Sequence, residues 1–304
     1  MSWQAVTREP MELGESPFWH SIERLLYWVD IPGRKILRTK AGTDLPETWA
    51  MPGEPGCIAP AASGGLVIAL RDGIYRAQGW GGALHLLHRA PYDSASTRFN
   101  DGKADALGRF WAGSLFEPRT AAAAELFALD CRDGREPELR RMAGNATVAN
   151  GLAWSPDNKT VYWSDTKSHR IRAWDWDAGS NTLTGERVFQ QFAQKPDGWH
   201  SGMEGYGGRP DGAAVDRLGN YYVAMFEGRR LLKFAPSGEL LAEIPTPAQC
   251  PTMPCFGGDD LRTLYITSAR ENRPAAELAL MPRSGCVFSM RVDVPGLPVN
   301  FFRD

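Results

Sequence analysis

Asn150-Gly151-Leu152-Ala153-Trp154-Ser155, followed by Val161-Tyr162-Trp163-Ser164-Asp165 and Arg170-Ile171-Arg172-Ala173-Trp174, has an earlier counterpart in the same chain. Glu15-Ser16-Pro17-Phe18-Trp19 leads into Leu26-Tyr27-Trp28-Val29-Asp30 and then Arg34-Lys35-Ile36-Leu37-Arg38 at nearly the same spacing. Each copy opens on a polar side chain, carries a Trp four residues later and reaches Tyr-Trp-x-Asp twelve residues on. Short apolar runs rich in aromatics and separated by turn residues read as antiparallel strands.

A second pair uses a tighter hairpin. Asn100 precedes Phe110-Trp111 and Asp211 precedes Tyr221-Tyr222-Val223, with the turns Asp105-Ala106-Leu107-Gly108-Arg109 and Asp216-Arg217-Leu218-Gly219-Asn220 between them. Asp first and Gly near the end is the chemistry a tight strand connection needs. Two further units, Gly56 to Arg76 and Met253 to Ala269, share the hairpin without the polar residue. Six units in 304 residues give about 51 per unit, near the size of a four-stranded propeller blade. The fold expected is all-β, a six-bladed β-propeller over residues 1–304 as a single domain, with the start of the chain pairing into the last blade to close the ring.

Units around an axis put residues of equal phase at equal height and radius. Glu15, Asn100, Asn150 and Asp211 are therefore expected to converge at one mouth of the central channel. Asn and Asp often cap turns, but a cap has no reason to become Glu in one copy. Glu, Asp and an Asn carbonyl are hard oxygen donors suited to a divalent cation such as calcium, magnesium or manganese, and a set without His or Cys argues against a conventional zinc site. Two carboxylates balance a double positive charge. Three or four protein ligands leave open positions for water and substrate, the condition for Lewis-acid catalysis.

Composition agrees with such a ring. The 32 Gly and 22 Pro beside 11 Trp, 8 Tyr and 13 Phe describe many short strands joined by tight turns. A net charge of -2 gives no electrostatic reason to expect nucleic acid. Five scattered cysteines, none in C-x-x-C spacing, read as reduced thiols. The start Met1 to Glu9 lacks a basic, then apolar leader, and no window has the apolar length of a membrane span. Cytoplasmic residence, with no membrane and no obligate protein partner, is the expectation.

Five segments in order resemble the regucalcin/gluconolactonase family of sugar lactonases: Leu13 to Trp19, Arg98-Phe99-Asn100-Asp101-Gly102-Lys103, Asn150 to Ser155, Pro210-Asp211-Gly212 and Phe256 to Leu261. The resemblance spans almost the whole chain. It implies a six-bladed propeller with one divalent ion held by Glu15, Asn150 and Asp211, a sugar lactone contacted by Arg98, Asn100 and Glu117, and proton handling by Asp211. Calcium is the first choice of ion, with zinc, manganese and iron(II) open because members differ. Ser16 stands where many members have Gly, and Asp259 where Pro is frequent.

The expected reaction is hydrolysis of a pentono- or hexonolactone, such as arabinono-, xylono- or gluconolactone, to its aldonic acid. Arg98 offers a fixed fork of donors, and Asn100 both donates and accepts, matching a polyhydroxy substrate. Two rivals use the same residues: a phosphotriesterase or arylesterase, and a non-catalytic calcium-binding propeller. The glycine-rich stretch from Gln194 to Arg209, which runs into Asp211, is a candidate lid. Asp175-Trp176-Asp177 with Glu186 imitates an EF-hand loop but has Ser180 at the Gly position. His20, His85, His88 and His169 fall at no ligand phase and read as core or surface residues. No G-x-S-x-G elbow occurs.

Overall fold

The computed structural model describes residues 2–304. Six four-stranded antiparallel sheets are arranged as the six blades of a propeller. The innermost strands are Gly14–His20, Pro55–Pro60, Thr97–Ala104, Ala149–Trp154, Arg209–Val215 and Pro251–Gly257, and each packs against its neighbours around the axis. Their residues are almost all buried, whereas outermost strands such as Glu47–Ala50 and Leu240–Pro245 are largely exposed. A strand covered on both faces reads as a continuous run, and this is why the inner segments carry little polar alternation.

The first residues close the ring. Gln4–Ala5 pairs antiparallel with Phe288–Arg291, Gln4 opposite Ser289, and becomes the outermost strand of the sixth blade. An open edge is thereby covered by the chain's own start. Asp259, at the family's Pro position, ion-pairs with Arg24 and so links the sixth blade to the first.

Apolar side chains gather into six clusters, one at each blade interface. Trp111, Trp154, Trp163 and Trp176 fill the seam between the third and fourth blades, while Trp19, Trp28 and Tyr265 fill the seam between the sixth and first. Trp28, Trp111 and Trp163 are fully buried. The aromatic runs are thus the wedges of the ring, each contributing about 1.5–3 kcal/mol by burial.

The predicted Asp-first turns form as expected. Asp105 Oδ1 accepts from the N–H groups of Leu107 and Arg109, and Asp216 Oδ1 from those of Leu218 and Asn220. Asp175 and Glu186, the EF-hand imitation, lie on paired strands, and Asp175 binds Arg187 at 2.8 Å. All five cysteines are free and buried. No helix of the described residues is long and apolar enough to cross a membrane.

In every blade the innermost strand slips register against the second. The slips fall between Glu15 and Phe18, Pro55 and Cys57, Phe99 and Gly102, Asn150 and Ala153, Pro210 and Ala213, and Pro251 and Pro254. A bulge bends the strand and re-aims the side chains beside it. At Gly151 φ is +61°, and a Cβ would collide with Ser164 Oγ, so the site favours glycine. Ser16 adopts φ +50° at the matching place. Its hydroxyl accepts from the Ile58 N–H at 3.0 Å, a bond to the next blade that offsets the backbone cost of a non-glycine residue.

Candidate active site

Glu15, Arg98, Asn100, Asn150 and Asp211 line one cavity of about 620 Å³. They come from the first, third, fourth and fifth blades, each beside its strand's bulge. Glu117 does not line it. Its carboxylate holds Arg71 at 2.7 Å and stands 3.9 Å from Arg98 Nε. A second cavity, about 280 Å³, lies at the other end of the channel among Phe18, Trp19, Met253 and Phe256, with Leu297 to Asn300 of the C-terminal tail across it. No carboxylate lines that apolar end.

A chain of donors orients the amides. Arg98 Nη1 donates to Asn100 Oδ1 at 2.7 Å, Asn100 Nδ2 donates to Asn150 Oδ1 at 2.9 Å, and Asn150 Nδ2 donates to Thr166 Oγ1 at 2.7 Å. A guanidinium can only donate, so the sense of the chain is fixed from Arg98 onward. Asn150 Oδ1 is left with a free lone pair on an oriented oxygen.

Glu15 and Asp211 make no ion pair within 4 Å among the described residues, although both are buried. Burial raises the pKa of both carboxyls well above the usual range; the charges of Asp211 and then Asp101 add to the rise at Glu15, and that of Asp101 adds at Asp211. Two buried acids without an ion-pair partner within 4 Å, beside an oriented amide oxygen, fit a hard divalent cation in donor type and charge. Among the described residues no group of three or more His, Cys, Asp or Glu side chains is placed to hold a metal. The candidate donor set has two carboxylates and amide oxygen.

Asp101 sits deeper in the channel. Its Oδ2 accepts from the Leu152 N–H at 2.9 Å while Oδ1 has no protein partner. Lys103, half-buried, donates to the Ala213 carbonyl at 2.5 Å. The sequence placed both only within a family segment, and nothing in their types distinguished channel from core.

The upper wall contains residues with no motif signal. His169, expected in core or surface roles, is buried yet lines the cavity, its Nε2 2.8 Å from Tyr206 Oη. The stretch opening at Gln194 forms part of the wall and is anchored: Trp199 is buried, stacks edge-on against Tyr206 and donates to the Met203 carbonyl. Lys195, Arg209 and Arg273 surround the buried carboxylate of Glu227 at 2.8, 3.0 and 2.8 Å. Arg209, two residues before Asp211, was the one member legible from spacing, since alternate strand residues share a face.

Residues 13–270 match the family described as the SMP-30/Gluconolactonase/LRE-like region. A protein from Pseudomonas putida named 6-deoxy-6-sulfogluconolactonase is 43% identical over 98% of both chains. Regucalcin from Danio rerio is 33% identical over 97% of this chain and 96% of its own. The solved structure of a calcium-binding protein, regucalcin, from Agrobacterium tumefaciens superposes with a TM-score of 0.89 at 24% identity, covering 100% and 98% of the two chains, and shares the fold.

Proposed function

The chain belongs to the SMP-30/gluconolactonase/LRE-like family, and from that premise we propose that it hydrolyses a sugar lactone to its aldonic acid with the help of one divalent cation. The observation that carries the reading is the meeting of Glu15, Asn150 and Asp211 in one cavity beside Arg98 and Asn100. The Pseudomonas putida relative, which bears a lactonase name and matches nearly end to end, supports ring opening as the reaction.

Glu15, Asn150 and Asp211 would hold the ion, calcium by first choice, with zinc, manganese and iron(II) as alternatives. When bound there, a divalent cation supplies Lewis-acid polarisation of the lactone carbonyl. The protein's own residues do the rest. Asp211 would accept the proton of the attacking water through the carboxylate oxygen left free by the ion, and because ligation lowers its basicity, water held by the ion would share that role. Arg98 donates to the lactone's oxygens and Asn100 Oδ1 accepts from a ring hydroxyl, since both hydrogens of Asn100 Nδ2 go to the Ala149 carbonyl and Asn150 Oδ1; the bond from Arg98 to Asn100 keeps that geometry fixed before substrate arrives. Glu117, at 3.9 Å from Arg98 Nε, orients the guanidinium. Burial of the site excludes bulk water from the charged intermediate.

The test is a pH-stat assay of pentono- and hexonolactones on chelator-stripped protein with single metals restored and Asp211→Asn as control. Metal-restored acid release that is absent in the variant supports the proposal. Faster turnover of aryl esters or organophosphates would assign the site to an esterase, and no metal-dependent hydrolysis would assign it to binding alone.

A further inference from the structure

Outside Glu15 and Asp211, the cavity is lined by six cationic side chains, Arg98, Arg119, Lys167, Lys195, Arg209 and Arg273, against the carboxylates Asp197 and Glu271. The excess is local, because the whole chain carries a net charge of -2. Glu227, behind the wall, absorbs part of it, yet three of the cations share that one carboxylate, and only Arg273 has a second partner, Glu277. Arg119 and Lys167 differ from the rest. Both are exposed, and among the described residues neither makes a side-chain ion pair or hydrogen bond.

The position of this pair is as informative as its freedom. Arg119 follows the second strand of the third blade and Lys167 the second strand of the fourth, at the rim. Glu15, Asn150 and Asp211 lie buried on the inner strands below. Lys167 directly follows Thr166, which accepts from Asn150 Nδ2, so the rim cation is tied by one peptide link to the orienting network of the floor. Both rim cations line the same cavity as the floor residues, so a substrate seated on the floor has two unpaired cations on the walls around it.

We propose that the substrate carries a negatively charged substituent, a sulfonate or phosphate monoester, at the end of the molecule remote from the ring ester, and that Arg119 and Lys167 receive it. This rests on the lactone reading above and names the class of lactone. Arg119 supplies a planar fork that matches two oxygens of a tetrahedral anion, and Lys167 a point charge. Lys195, Arg209 and Arg273, held by Glu227, set the surrounding potential and draw an anionic substrate toward the mouth.

Calorimetry decides it without requiring turnover. Gluconate, 6-phosphogluconate and 6-deoxy-6-sulfogluconate are titrated into calcium-supplied wild type, Arg119→Gln, Lys167→Gln and the double variant. At least one of the two 6-substituted acids is expected to bind about tenfold or more tighter than gluconate, and the better of them identifies the substituent. Each single variant is expected to shrink that ratio, the double variant to bring it near one, and higher salt to weaken it because the rim is exposed. Equal binding of all three acids to wild type, or a ratio the double variant leaves intact, overturns the proposal. If the ratio holds but no lactone is opened under any metal, the anion site stands and the lactonase reading fails.

Discussion

Asn100 Nδ2 donates to Asn150 Oδ1 at 2.9 Å, joining the inner strands of the third and fourth blades at the floor of the cavity. The two side chains are 50 residues apart, and each sits beside a bulge in its strand. Their bond turns two separate turns of chain into one oriented oxygen surface, with Arg98 fixing its sense.

Asn100→Ala removes the middle of that relay. Asn150 Oδ1 loses its donor and Arg98 its acceptor. Metal affinity and kcat/KM are each expected to fall about 10–100-fold, read by metal titration and the pH-stat assay, and the thermal midpoint of the metal-free protein is expected to fall as well, because the buried Ala149 carbonyl and Asn150 Oδ1 each lose a donor.

Glu15→Gln and Asp211→Asn remove the two buried carboxylates that lack an ion-pair partner within 4 Å among the described residues. In wild type, calcium at about a hundred times its Kd is expected to stabilise the fold by about 2.7 kcal/mol. Thermal scans with and without chelator should show this rise in wild type and its loss in either variant. A variant retaining the full calcium-induced shift would remove that residue from the ion site.

Glu227 gives the protein an acid-side dependence. Burial alone would raise its pKa, but the hydrogen bond from Lys195, the charge of Arg209 and the hydrogen bond from Arg273 outweigh it and hold the carboxyl below its ordinary 4.5. The unfolded chain then binds the proton more readily, so this stabilisation is present above about pH 4.5 and is lost as pH falls through the lower folded value. Glu227→Gln is expected to cost about 3 kcal/mol near neutrality by leaving three cations around a neutral amide. Denaturant titrations across pH 3–7 should show a smaller acid-side loss in the variant than in wild type.

Deleting residues 1–6 removes the outermost strand of the sixth blade together with the Trp3 Nε1 bond to the Pro245 carbonyl. The exposed edge Phe288–Arg291 is then free to pair with another molecule. A lower thermal midpoint and concentration-dependent association in light scattering are expected. An unchanged midpoint and an unchanged assembly state would show that the closing strand is dispensable.

Several elements were legible before any coordinates because they depend on local rules. The Tyr27-Trp28 and Tyr162-Trp163 copies fixed the repeat, since aromatic wedges recur wherever one blade packs on the next. The Asp105 and Asp216 turns declared themselves by composition, because an Asp side chain satisfies the N–H groups of its own turn. Five of the six expected site residues line one cavity because equal phase in a closed ring is equal position. Glu117 escaped that rule: it lies beyond the end of the second strand, Phe110–Phe116, where the repeat no longer dictates direction, and Arg71 of the neighbouring blade captured it.

The amino-acid sequence by itself determined the six-fold repeat, the closing strand and the polar residue at the start of four of the six inner strands, all of which follow from period and residue type along the chain. Only the tertiary structure decided which hydrogen bonds orient Asn150, that His169 faces the cavity, and that Arg119 and Lys167 stand unpaired above it. Those properties depend on distances between blades. A side chain's charge is written in its residue type, but whether a partner neutralises it is settled by what the folded ring brings within hydrogen-bond reach.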